Sequence, residues 1–185
     1  MFDKSMPGAY TLEWRDGRKE DLFGHRGYYY VFADRTILSF LPDPAWCRHC
    51  EQIRLCEHLQ DQAALRQELR DLADPNSERS LELTRGSTPG FAEAWKQKLE
   101  VELRHATLRK MPPSCIHCGH RDVAYFVEGQ WAPHPGTGED VRFYCSGMCS
   151  TDFAVRFYDV DCNPLNITEV EKAELWEAVR QNRAF

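Results

Sequence analysis

The chain has 185 residues and a mass of 21.5 kDa, enough for one domain or two small ones with a core of their own, so it does not need a metal merely to fold. Hydrophobic residues at 42% and aromatics at 12% exclude wholesale disorder. A formal charge of −6 and a pI near 5.6 argue against a nucleic-acid partner, because neutralising a phosphate backbone calls for clustered Lys and Arg.

Taken in chain order, apolar and polar residues alternate from Ala9 to Trp14 until Asp16-Gly17 interrupts them, the composition of a strand entering a tight hairpin. Tyr28 to Phe32 and Thr36 to Leu41 continue the pattern, so residues 9–41 are expected to form a small antiparallel sheet. Consecutive strand residues face opposite sides, which favours core packing of Tyr28, Tyr29 and Tyr30 over a base-stacking platform. Pro42 and Pro44 end the sheet. From about Leu55 to Ala73, Leu55, Leu59, Ala63, Leu69 and Leu72 share one side of a helix, and residues 74–77 break it. Thr88 followed by Pro89 predicts a helix start, with Phe91, Trp95, Leu99, Leu103 and Ala106 facing inward as far as about Lys110. Arg104, Arg109 and Lys110 then suit the C-terminal end of the helix dipole. The two helices predict an antiparallel hairpin closed by Pro112-Pro113. Val123 to Val127 and Val141 to Tyr144 read as strands around a loop at Pro133–Gly138, and Phe153 to Tyr158 suits a helix or a strand. Thr168 and Glu171 have capping-box spacing and open a last helix with Val170, Ala173, Trp176 and Val179 inward.

The expected fold is therefore α+β: a small N-terminal antiparallel sheet with a CxxC knuckle over residues 1–58, a helical hairpin over 59–111, and a zinc module with a C-terminal helix over 112–185, in separate domains or one. The start of the chain carries no apolar leader and no later run is long enough for a membrane span. A soluble, cytoplasmic protein with no membrane partner is expected, and in a reducing compartment CxxC pairs signal metal or redox chemistry rather than structural disulfides.

Two such pairs are present, Cys47-Arg-His-Cys50 and Cys115-Ile-His-Cys118. A CxxC turn presents two thiolates to one tetrahedral ion, and Gly119 lets the second turn leave without a Cβ clash. Cys145 and Cys149 form a CxxxC pair, and Cys56 and His58 follow the first knuckle closely. At least one structural zinc is expected, in one of two sharings. In the local one, Cys115, Cys118, Cys145 and Cys149 hold one ion and Cys47, Cys50, Cys56 and His58 a second. In the crossed one, Cys47, Cys50, Cys115 and Cys118 make a single zinc-ribbon site with the helical hairpin inserted between the knuckles. The sequence leans slightly to the local sharing. Cys162 reads as a small buried residue. His49 and His117 lie inside the turns, His120 reads as a surface residue, and His25, His105 and His134 carry no ligand spacing.

The stretch from Tyr144 and Cys145 through Cys149 to Phe153, following Cys115 and Cys118, resembles the tail of TRASH, YHS and MYM zinc fingers over about residues 115–157. The resemblance implies a treble-clef-like module of a group linked to protein interaction, metal sensing and, in one ribosomal relative, RNA contact. The loop between the two cysteine pairs is longer than that pattern.

No HExxH, no deaminase HxE with PCxxC, no GxSxG elbow and no phosphate-binding glycine loop occurs. No CxxC stands at a helix N-terminus in a βαβ setting, as thioredoxin-like chemistry requires. The first expectation is a zinc-stabilised, non-enzymatic binding, adaptor or regulatory protein that engages a protein partner through the helical hairpin or the Pro133–Gly138 loop. Alternatives are a zinc-dependent enzyme or enzyme subunit using Glu128, His134 or Asp140, and a metal or nucleic-acid sensor. No catalytic residue is nominated.

Overall fold

In the computed structural model, residues 8–23, 27–85, 88, 90–148 and 155–181 are described. They form an α+β structure of several sheets and four helices, the last near the C-terminus. The chain divides into two compact units. One comprises Met1–Phe32, Ser39–His58 and Met111–Leu165; the other comprises Ala33–Leu38, Leu59–Lys110 and Asn166–Phe185.

The first unit starts with the expected hairpin of β1 (Gly8–Trp14) and β2 (Lys19–Phe23). Gly17, at φ +87°, donates its N–H to Trp14 O at 2.9 Å, a left-handed turn position that glycine adopts without strain. The N-terminal strands do not stay in one sheet, however. On its other side β1 pairs antiparallel with β9 (Asp140–Met148), which also pairs with the short β8 (Ala132–Pro133), giving the order β2-β1-β9-β8. β3 (Gly27–Val31) and β4 (Ile37–Phe40) belong to a different sheet, in which β3 runs parallel to β10 (Val155–Tyr158). This also decides Val155–Tyr158 of the ambiguous stretch in favour of a strand; residues 153 and 154 lie outside the described residues. Tyr28, Tyr29 and Tyr30 are all buried, as packing residues should be. Tyr30 stacks on Phe40 at 4.1 Å, and Tyr29 packs against Phe157 with the rings tilted by 31° at 5.6 Å.

The third sheet is the one that matters for the cysteines. β5 (Asp43–Cys47) and β6 (Gln52–Cys56) form a hairpin, and β7 (Val123–Tyr125) pairs with the other edge of β5. Period-two alternation sorts its two faces. Trp46 and Ile53, directly opposite each other, join Tyr10, Leu12, Val141 and Phe143 of the first sheet in one apolar core. Ala45, Cys47 and Cys56 face the other way, where they pack with Cys115.

In the helical unit, α1 (Gln62–Ala73) begins later than the periodicity suggested, because residues 52–56 pair as a strand and Asp61 caps the helix by accepting from Ala63 N–H at 3.0 Å. Its buried residue is Leu65 rather than Ala63. An unforeseen short helix, α2 (Glu78–Thr84), follows the breaker and is capped by Ser77. α3 (Phe91–Leu108) starts after Gly90 at φ +86° rather than at Thr88; Pro89 lies outside the described residues. Gln62 donates to Ala106 O at 2.7 Å and Trp95 to Glu68 at 3.0 Å, so the start of α1 meets the end of α3 and the two run antiparallel. In α4 (Glu169–Gln181) the capping box forms as expected, with Thr168 N–H to Glu171 at 2.8 Å and Glu171 N–H to Thr168 at 3.3 Å. The inward stripe is turned from the expected one. Leu175 is buried while Val170 is 69% exposed; Ala173 is exposed too, and Trp176 and Val179, one and four residues after Leu175, are half-buried, so the inward sector centres on Leu175.

Candidate metal centre

β5 delivers Cys47 to a turn of residues 48–51 that returns as β6. Within it the Cys50 N–H points at Cys47 Sγ, 3.5 Å away, and Glu51 closes the turn at φ +52°. The second knuckle is closed by Gly119 N–H to Cys115 O and Cys115 N–H to His120 O, both 2.8 Å, with Gly119 at φ +74°. The chain then leaves as β7, whose Val123 lies opposite Cys47, and Arg48 N–H donates to Asp122 O at 3.1 Å. One strand pairing therefore carries both turns to the same end of one sheet.

The consequence is a cluster in which the sulfurs of Cys47, Cys50, Cys115 and Cys118 all lie within 4.8 Å of one another, with Cys47 Sγ 3.6 Å from Cys118 Sγ. Cys47 and Cys115 are buried, and Cys50 and Cys118 are half-buried. Four thiol sulfurs at this separation can hold a metal ion. Among the described residues, the set that the fold gathers is thus the crossed one. Cys145 sits exposed on β9, its N–H bonded to Glu128 at 2.9 Å, outside this cluster. Cys149 lies outside the described residues. Cys56 is buried beside Cys115 but is not one of the four, and Cys162 is buried elsewhere in the unit.

Burial and mutual hydrogen bonding divide the thiols electrostatically. The neighbouring Cys56 thiol, with the N–H groups of Cys118 and His117, holds Cys115 down at about 4 against the opposing effect of burial. The proximity of Cys115, then burial, pushes Cys56 up, and the Cys56 thiol donates to Arg54 O at 3.6 Å. Burial raises Cys50 and Cys118. Where burial raises Cys50 and Cys118, metal binding must displace their protons.

The histidines are accounted for differently. His49 and His120 are exposed and stack in parallel at 3.6 Å over the knuckle tips, and His117 is exposed. His134 accepts from Gly136 and Thr137 N–H at Nδ1, at 3.1 and 3.2 Å, and sets its ring edge against Trp46. Asp140 pairs with Arg15 at 2.7 Å. Glu128, His134 and Asp140 thus shape loops and strand ends.

His58 pairs through Nδ1 with Asp43 at 2.8 Å, the hydrogen bond and then the charge of Asp43 raising its pKa against partial desolvation. A raised folded value stabilises the fold fully below the unfolded value of about 6.5, and the contribution is lost as pH rises through the folded value. With the imidazole 48% exposed the gain is small. His58→Ala should therefore melt below wild type at about pH 5.5 and alongside it at about pH 9; an equal deficit at both would show that packing, not the ion pair, is the contribution.

The chain matches no family model, no curated protein and no solved structure. Its functional reading rests on the thiol cluster itself. No described helix is long and apolar enough to cross a membrane.

Sequence reasoning missed what stands behind the cluster. Glu57 is fully buried, as is Ser114 beside Cys115. In sequence Glu57 is one more acid between Cys56 and His58, and no spacing sets it apart.

Proposed function

We propose that this is a zinc-stabilised, non-enzymatic binding or adaptor protein, with one structural zinc held by Cys47, Cys50, Cys115 and Cys118 in a zinc-ribbon arrangement. The observation that carries the reading is the convergence of four cysteine sulfurs from two knuckles to within 4.8 Å. Four thiolates complete a tetrahedral zinc shell and leave no position for a substrate or a catalytic water, which is the character of structural rather than catalytic sites. The resemblance of residues 115–157 to TRASH, YHS and MYM fingers is not needed for it, since the cluster is complete without Cys145 and Cys149. The acidic net charge of −6 favours a protein partner over nucleic acid.

Elemental analysis of the purified protein tests the reading. It should return one zinc per chain. Two zinc ions would restore the local sharing, iron would make the site a redox centre of the same ligand set, and metal-free folded protein would remove the basis of the proposal.

A further inference from the structure

Behind the metal cluster lies a polar node that none of the four thiols requires. Leu55–Glu57, at the end of β6, runs antiparallel to Ser114–Ile116, at the entry to the second knuckle. Glu57 N–H donates to Ser114 O at 2.8 Å and Ile116 N–H to Leu55 O at 3.1 Å. That pattern makes Cys56 and Cys115 a non-hydrogen-bonded antiparallel pair, whose side chains approach closely with Cα atoms about 4.5 Å apart. The Glu57 side chain then folds back onto the same junction. One carboxyl oxygen accepts the Ser114 N–H at 3.2 Å, and the other accepts the Tyr30 hydroxyl from β3. The Tyr125 hydroxyl of β7 donates to the Glu57 carbonyl. Glu57 is 0% exposed and Ser114 1%. A carboxyl group removed from water is costly unless its oxygens are hydrogen-bonded. A group so placed fixes geometry.

We propose that Glu57 is the positioning residue of the metal centre. It fastens the exit of the first knuckle to the entrance of the second, so that Cys47 and Cys50 face Cys115 and Cys118 at coordination distance before a cation arrives. The inference rests on the zinc reading above and adds to it a cause: the sulfurs come from turns 71 positions apart in the chain, Cys47 to Cys118, and β7 is only three residues long. Three short pairs alone hold loosely. Through Tyr30, Glu57 also ties the metal cluster to β3, so that metal occupancy and the order of that strand are linked within the one unit.

The test measures zinc affinity by competition with a chromogenic chelator, together with the cobalt(II) charge-transfer spectrum, which reports the number of thiolates. Glu57→Gln keeps the volume and supplies one acceptor oxygen in place of two, and Tyr30→Phe removes one donor. Each should weaken zinc by about 10-fold, and Glu57→Ala by up to about 100-fold, the range found for groups that orient metal ligands. All should retain a four-thiolate cobalt spectrum. Ser114→Ala is the control: the Ser114 hydroxyl makes no hydrogen bond among the described residues, while its N–H, which does, is kept, so its zinc affinity should match wild type. A merely structural role for Glu57 would lower the melting temperature of metal-free and metal-bound protein alike and leave zinc affinity of the folded chain unchanged. Wild-type binding with Glu57→Gln and Tyr30→Phe within about twofold of it would overturn the inference alone. Absence of zinc binding by the wild type would overturn the zinc reading, and this inference with it. If Glu57→Ala does not fold, the two volume-preserving variants decide the matter.

Discussion

Cys115→Ser is expected to abolish stoichiometric zinc and to destabilise the protein by more than about 4 kcal/mol, since loss of a metal belongs among the few single-site changes with so large an effect. For a chain of this size that corresponds to a fall in melting temperature of roughly 8–16 °C or more. Cys47→Ser should behave in the same way, because both sulfurs are buried in the cluster and a hydroxyl is a poor ligand for a site built of thiolates. Cys145→Ser and Cys162→Ser should leave metal content at the wild-type value. The contrast matters more than either loss. In the local sharing, which holds two ions, Cys145→Ser and Cys47→Ser would each lose one ion and keep the other; in the crossed site Cys47→Ser loses the single ion and Cys145→Ser keeps it. Metal content and thermal melting on the four variants distinguish the two directly.

The second large effect lies in the apolar core rather than at the metal. Phe143 is buried on β9, edge-on to Tyr10 at 5.7 Å, in the cluster that also holds Leu12, Val141, Trp46 and Ile53. Phe143→Ala should cost about 3–5 kcal/mol, the transfer free energy of the ring plus the cavity left behind. Urea denaturation of the metal-loaded protein should show a lower midpoint with an unchanged slope. Since Trp46 precedes Cys47 on β5, this core also backs the first knuckle. A loss below about 1 kcal/mol would mean that the two sheets do not share one core.

These predictions draw on features that differed in how far they could be read from residues alone. The CxxC turns were legible because their chemistry demands a fixed spacing. α3 and α4 were legible because helical periodicity and the Thr168 capping box are local signals. The sheet that carries the site was not. β5 contains Pro44 and ends at a cysteine, and β6 is short and runs into an apolar stretch that mimics helical spacing at Leu55 and Leu59. What makes these segments strands is their pairing with each other and with β7, far along the chain. The same holds for β3, whose parallel partner β10 lies near the other end. Ligand sharing follows from such pairings. Val123 opposite Cys47 brings the second knuckle to the first, and no spacing within either CxxC encodes that register. Glu57 was hidden for a related reason: its burial is created by Tyr30 and Ser114, which reach it from separate segments.

The central claim is that one zinc ion sits among Cys47, Cys50, Cys115 and Cys118. X-ray absorption at the zinc edge of the purified wild-type protein tests it most directly. The account predicts a first shell of four sulfurs at about 2.3 Å with no lighter ligand. A mixed shell with nitrogen or oxygen at about 2.0–2.2 Å would contradict it, because it would bring His58, another histidine or water into the site in place of one of the four thiolates.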